Sequence, residues 1–335
     1  MTRALYDVLG IGNAIVDVIA RAEDGFLQTH GMQKGAMALI DEERAQAIYA
    51  AMGPATEISG GSAANTIVGA ASLGARAAFV GKVKDDELGR HFAHDIRAAG
   101  VAFDSKAALG GPSTARCYIM VTPDGERTMN TYLGAAQNLS PADISDELIG
   151  AAEVTYLEGY LWDPPQAKEA FRKAAGIAHA ASRKVSLTLS DAFCVGRYRA
   201  EFLDLIRTGT IDILFANEKE LLALYETADF AAAVAQLSQE ARLAVVTRSE
   251  KGCVVVSKQG VDAVPAHPID GLVDATGAGD LFAAGFLVGH SRGQDNKTAA
   301  RLGALAAAEV IQHLGARPQT PLRALAKQHG LSSAG

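Results

Sequence analysis

Three cysteines and one tryptophan are few for a chain of 335 residues, and aromatic residues make up only 6%. Cys117, Cys194 and Cys253 stand far apart and form no CxxC pair, so neither a zinc ribbon nor a disulfide framework is expected. Reduced thiols suit a cytosol, and a cytoplasmic location is expected. No apolar run approaches the ~18 residues of a membrane span. The start, Met-Thr-Arg-Ala-Leu-Tyr-Asp, has none of the parts of a secretion leader. Basic residues are outnumbered, 31 against 38, giving a net charge of −7. That balance argues against polymeric nucleic acid or an anionic membrane as a partner. Two nucleotide-binding signatures are also missing: there is no GxxxxGK[ST] loop and no GxGxxG after a strand.

What is present is 49% apolar, enough for a large core, with 34 glycines and abundant alanine. This length suits one large domain with a small appendage, and the composition favours α/β over all-β. Short apolar runs read as buried strands at 8–11, 77–80, 154–157, 185–189, 211–216, 244–247 and 254–256. Helical patterns lie between or after them at 63–73, 87–99, 167–180, 199–207, 219–225, 230–240, 281–292 and 298–312. Strand–helix alternation of this kind implies βαβ units and a mostly parallel sheet, with ligands beyond the carboxyl ends of its strands. The clearest hairpin is Ala115–Val121 and Arg127–Tyr132 around Pro123-Asp124-Gly125. With strand-like segments at 14–20 and 35–40, it suggests a small β lid from about 14–40 and 112–134. The large domain would then take 1–13, 41–111 and 135–330. No internal repeat or low-complexity linker appears, and Ser332–Gly335 is expected to fray.

Two loops carry candidate chemistry. In Asp274-Ala-Thr-Gly-Ala-Gly-Asp280, the N–H groups of Gly277, Ala278 and Gly279 would open onto a helix N-terminus, a geometry that binds anions. Asp280 beside them can orient a hydroxyl and take its proton, or can be an ordinary helix cap. In Asn217-Glu-Lys-Glu220, the two outer residues lie one helical turn apart and can face a Mg²⁺ ion, or can form a capping box.

Three segments together resemble the ribokinase-like family of carbohydrate and nucleoside kinases: Gly60-Gly-Ser-Ala-Ala-Asn65 through Gly89, the Asn217/Glu220 pair, and Asp274–Asp280. They stand in the family's order over nearly the whole chain. Within the family, Gly12-Asn-Ala-Ile-Val-Asp17, Asp124–Met129 and Gly315-Ala-Arg-Pro318 look most like the adenosine kinases. The resemblance implies an α/β fold with a ribokinase-like, Rossmann-type sheet flanked by helices and a small β-sheet lid. It implies ATP-dependent phosphorylation of a nucleoside 5′-hydroxyl, with Mg²⁺. By position, Asp280 is the base, and Gly277, Ala278 and Gly279 form the anion hole. Asn13, Asp17, Gly61, Ser62 and Asn65 face the ribose. Asn217 and Glu220 hold the metal network. Asn217, Thr247 and Gly252 lie on the ATP side.

Asp17 can instead be a solvated strand-end acid. Arg127 is the lid cation that would reach the phosphate, or a surface hairpin charge. Met37, Tyr160, Leu161, Trp162 and Phe193 are candidate walls for a purine, or core. The chain departs from the family at Ser249, where a glycine is usual and positive φ is less accessible, and at Ala275, which replaces a threonine. The expected partners are a small nucleoside and ATP, with the protein a monomer or homodimer. The alternatives are a sugar kinase of the same family and a nucleoside-binding regulator without turnover.

Overall fold

The computed structural model describes residues 4–331; the fraying expected at Ser332–Gly335 falls outside them. In chain order the strands are β1 Tyr6–Ile11, β2 Ile15–Arg21, β3 Met37–Leu39, β4 Ala55–Gly60, β5 Ala77–Val80, β6 Val101–Ala102, β7 Ala115–Val121, β8 Arg127–Tyr132, β9 Ala152–Glu158, β10 Lys184–Thr188, β11 Ile213–Asn217, β12 Leu243–Thr247, β13 Cys253–Ser257 and β14 Gly260–Val264. The helices are α1 Asp24–Thr29, α2 Glu42–Ala51, α3 Ser62–Ser72, α4 Glu87–Ala98, α5 Asp146–Gly150, α6 Pro165–Ala180, α7 Ala192–Arg207, α8 Glu218–Tyr225, α9 Phe230–Glu240, α10 Ala278–Ser291, α11 Asn296–Val310 and α12 Leu322–Gln328.

Nine strands form the large sheet in the order β14-β13-β12-β11-β10-β9-β1-β5-β6. From β6 to β12 every pairing is parallel, and β13 and β14 extend the edge antiparallel. Its strands read as unbroken apolar runs because both faces are covered. Val8, Phe79 and Tyr156 belong to the core under α3, α4, α10 and α11. Their neighbours Leu9, Val80 and Leu157 belong to the core under α5 to α9. Among the described residues no helix is long and apolar enough to cross a membrane.

Five strands form the small sheet in the order β3-β8-β7-β2-β4. Its β4 comes from residues assigned above to the large domain, yet it pairs antiparallel with β2 from Ile15↔Gly60 to Ala20↔Ala55. One face carries Val16, Val18, Tyr118 and Met120 into the core with Leu27 of α1 and Ile48 of α2. The other face sets Asp17, Cys117 and Thr131 side by side across β2, β7 and β8. Period-2 alternation places a carboxylate on one face and valines on the other.

Helix α7 begins seven residues earlier than the pattern suggests. Tyr198 interrupts it with φ −122° and ψ 20°, at the residue before the predicted start. Its first turns, capped by Asp191, leave Phe193 exposed.

Candidate active site

The site lies where the carboxyl ends of β1, β9, β10 and β11 meet the N-termini of α3 and α10, with the small sheet alongside. The anion loop folds as its glycines require. Gly277 caps α10 with φ 79°, and a Cβ there would meet the Cα of Ala316 at 2.8 Å. The N–H of Ala278 closes a turn onto Ala275 O at 3.2 Å, and Leu281 N bonds Gly277 O at 2.8 Å. The N–H groups of Gly277, Gly279 and Asp280 have no partner among the described residues. Positive partial charge at a helix start and unused donors make a place for an anion.

Asp280 lies in the first turn of α10, half-buried. Ser62 Oγ donates to its Oδ1 at 2.6 Å and Asn65 Nδ2 to its Oδ2 at 3.1 Å. Burial pushes its pKa up to about 6, against the pull of these two hydrogen bonds and the Arg317 charge. Ser62 and Asn65 reach it because Gly61, with φ 98°, turns the chain out of β4 directly into α3; a Cβ on Gly61 would sit 2.2 Å from Asn13 O. The two residues expected at a ribose are thus drawn to the candidate base.

Asp17 faces the same space from the small sheet. Its carboxylate accepts no hydrogen bond among the described residues. Burial lifts its pKa to about 6, with Arg317 and Arg127 opposing and Asp280 adding to the rise. Asn13 is buried, and its Nδ2 donates to Glu158 Oε1 at 2.6 Å. The side-chain oxygens of Asn13 and Asn65 are both buried without a donor among the described residues. The structure therefore gathers three acceptors that lack donors beside a carboxylate that has two.

Glu158 escaped the sequence reading. It ends β9, is fully buried, and its Oε2 accepts from Ala63 N at 2.9 Å at the start of α3. Burial raises its pKa to about 7, while Ala63 and Asn13 favour the charge. A charged residue closing an apolar run, Val154–Leu157, was the available signal. Arg317, within Gly315-Ala-Arg-Pro318, carries no local signal of its role. Its guanidinium donates to the carbonyl oxygens of Ser59 and Ala64, fastening the segment after α11 to the β4–α3 junction. Burial lowers its pKa to about 10, and the charges of Asp17, Asp95 and Asp280 oppose this.

Arg127, at the start of β8, is buried and bonds Asp274, the first residue of the anion loop. It is not a free surface charge. Asn217 and Glu220 form a complete capping box: Asn217 Oδ1 accepts from Glu220 N at 2.9 Å, and Glu220 Oε2 accepts from Asn217 N at 2.9 Å. Asn217 Nδ2 donates to the remaining Glu220 oxygen at 2.6 Å. Burial lifts Glu220 to a pKa of about 7. Its oxygens are hard donors of the kind Mg²⁺ takes, and each already accepts one hydrogen bond from Asn217. The pair therefore fits a hydrated ion met through water, not a preformed cage. No cluster of three or more His, Cys, Asp or Glu side chains able to hold a metal occurs among the described residues.

On the ATP side, Thr247 ends β12 and Gly252 has φ 82°, with its Cβ position 2.1 Å from Val264 O. Ser249 does adopt the left-handed conformation, φ 52°, in a turn closed by Arg248 N to Gly252 O at 2.7 Å. The glycine-like backbone is kept at a cost of ~1–2 kcal/mol.

The candidate purine walls divide. Trp162 is fully buried against Phe171 and Phe202, and Leu161 is core with it, so neither lines the cleft. Tyr160 is 38% exposed just after β9, its N–H bonds Ser190 Oγ at 3.0 Å, and its pKa is raised by burial and by the charges of Asp191, Asp280 and Glu220. Met37 lies exposed on β3, and Phe193 is 70% exposed under the guanidinium of Arg197.

Residues 41–323 match the family described as "pfkB family carbohydrate kinase". The crystal structure of adenosine kinase from Sinorhizobium meliloti is 56% identical with a TM-score of 0.91, over 97% of this chain and 100% of that one. That of a probable sugar kinase protein from Rhizobium etli CFN 42 is 52% identical with a TM-score of 0.92, over 98% and 99%. Adenosine kinase of Saccharomyces cerevisiae is 27% identical over 330 residues, 91% of this chain and 94% of that protein.

Proposed function

The chain belongs to the pfkB carbohydrate kinase family, and from that premise we propose that it transfers the γ-phosphate of ATP to the 5′-hydroxyl of a purine nucleoside, adenosine first. It is a phosphotransferase with an alcohol acceptor. One observation carries the finer reading: Asp17, Asn13 and Asn65 present oxygens without donors next to Asp280, which is fixed at an open helix N-terminus. A ribose supplies hydroxyl donors in just such a group, and one carboxylate can accept from two vicinal hydroxyls.

In this reading Asp280 orients the 5′-hydroxyl and receives its proton. Gly277, Ala278 and Gly279 lie under the phosphate. Phosphoryl transfer is mostly positioning and charge stabilisation, so a base that titrates near pH 6 suffices. Thr247 and Gly252 lie beside ATP. Asn217 and Glu220 would hold magnesium through water, which when bound neutralises charge on the phosphates. Tyr160, Phe193 and Met37 are the candidates for the base. The resemblance to an adenosine kinase at 56% identity favours a nucleoside. The resemblance to a probable sugar kinase at 52% identity keeps a sugar acceptor as the second reading.

A panel of nucleosides and sugars with ATP and magnesium separates the readings. Turnover of adenosine above ribose and fructose is expected. Preference for a free sugar would select the second reading, and nucleoside binding without turnover would make the protein a regulator. Asp280→Asn should lower kcat on the order of 10²–10⁴-fold with nucleoside KM largely kept. Near-normal turnover would remove Asp280 from the chemistry.

A further inference from the structure

The buried pair Arg127 and Asp274 joins the β7–β8 hairpin to the anion loop, across 147 residues of sequence. A lone surface hairpin charge would do neither. Asp274 is fixed from two sides: its Oδ1 accepts from Thr276 N at 3.0 Å, and its Oδ2 accepts from Gly315 N at 2.9 Å as well as from Arg127. Its own N–H bonds Ile311 O at 3.2 Å. The carboxylate therefore belongs to the loop's rigid frame, three residues before the helix cap Gly277. Arg127 uses Nη1 on it, while its Nε is buried and has no partner among the described residues. A guanidinium has five N–H donors in a planar fork, so it can keep one on a carboxylate and offer others to a second anion.

Burying an ion pair contributes little net stability, because desolvation offsets the attraction. An unpartnered Nε makes the arrangement less favourable still as a purely structural element. On β8 Arg127 stands four residues before Thr131, on the face of the small sheet that carries Cys117 and Asp17, and from there it bonds the anion loop.

We propose that Asp274 is a positioning residue: it pins the Arg127 guanidinium at the mouth of the anion loop, so that the unused donors meet the transferring phosphate and the lid hairpin stays docked. This deepens the functional reading above and rests on it. No bond is made or broken by Asp274. Its role is to hold a cation where negative charge accumulates.

The test is a double-mutant cycle with Arg127→Ala and Asp274→Asn, read as kcat with saturating ATP and adenosine. Arg127→Ala should lower kcat about 10²-fold, as for loss of one preorganised donor, and Asp274→Asn roughly tenfold. The double variant should stay within about twofold of Arg127→Ala alone, because residues acting as a unit are not additive. Nucleoside KM should change by less than about twofold in Asp274→Asn. Fold-changes that multiply, or an Asp274→Asn kcat within about twofold of the unaltered protein, would overturn the proposal. Asp274→Ser repeats the cycle if the first substitution lowers the melting temperature sharply. If both variants unfold, Asp274 is structural and the proposal is lost. The same proteins are titrated with tripolyphosphate, which needs no acceptor. Non-additive Kd changes there would uphold the positioning even if no nucleoside were phosphorylated, and additive ones would reject it whatever the acceptor.

Discussion

Removing one hydroxyl, in Ser62→Ala, should move the acid limb of the pH–rate profile upward. Ser62 Oγ donates to Asp280 Oδ1 at 2.6 Å, and its only effect on that group's ionisation is to favour the charged form. Loss of that donor leaves the proton bound more tightly, so the pKa rises from about 6. A hydrogen bond to a charged group contributes about 1.5–3 kcal/mol, and each ~1.4 kcal/mol is one pKa unit. Because Asp280 is half-buried, water replaces part of the lost donor, so the lower end applies and the limb should move by about 1 unit. Near pH 5.5 the variant should then be about eightfold slower from ionisation alone, and near pH 8.5 almost nothing should remain of that effect.

The assay is kcat/KM for adenosine from pH 5 to 9, which reports groups of the free enzyme. Asp17 and Glu158 also titrate in this range, at about 6 and about 7, so the limb belongs to a coupled set. Among these three carboxylates Ser62 bonds only Asp280, which is why its removal assigns the limb. Any loss of ribose contact in the variant lowers the whole curve without moving it. A curve that drops but keeps its limb within about 0.3 units would show that Asp280 is not the titrating base.

Three further outcomes are expected. Asp17→Asn should raise nucleoside KM about 10–100-fold, the equivalent of one charge-assisted hydrogen bond, with ATP KM within about twofold; an unchanged nucleoside KM would displace the ribose from Asp17. Gly277→Ala forces an L side chain into φ 79° and toward Ala316, so thermal denaturation should show a loss of ~1–3 kcal/mol, and ATP KM should rise; a normal melting temperature and KM would mean the loop shifts freely. Glu158 has a folded pKa of about 7, above its ordinary 4.5, so the folded state binds the extra proton. Its contribution to stability is full below pH ~4.5 and fades as pH rises through about 7, so Glu158→Gln should gain stability relative to the unaltered protein between pH 5 and 8. A relative stability that stays flat across that range would refute the buried charge.

The parts of the fold legible in the sequence are those whose physics is local. Strands buried on both faces announce themselves as apolar runs, and β1, β5 and β9 to β13 were recognised that way. The edge strand β4, Ala-Thr-Glu-Ile-Ser-Gly, has only one covered face and ends in glycine, so its pattern is too weak to place it. Its partner β2 decides its sheet. Trp162 is open to both readings in the sequence because aromatic rings suit purines and cores alike, and only the packing of Phe171 and Phe202 against it resolves which. The capping box at Asn217 was legible as an alternative because its two members are three residues apart, whereas a metal would need contacts that sequence spacing does not carry.

Asp280 marks the boundary between the two kinds of information. Its glycine-rich surroundings and the helix behind them identify an anion loop from seven consecutive residues. Its protonation does not follow from those residues. That depends on Ser62, 218 positions away, on Asn65 one turn further along α3, and on Arg317. These reach it because Gly61 turns β4 into α3 and the large sheet brings α3 beside α10. Glu158 in turn holds the α3 N-terminus from the end of β9. The candidate base is therefore tuned by the closure of the sheet, which is why a motif can locate it and only the assembled fold can say at what pH it works.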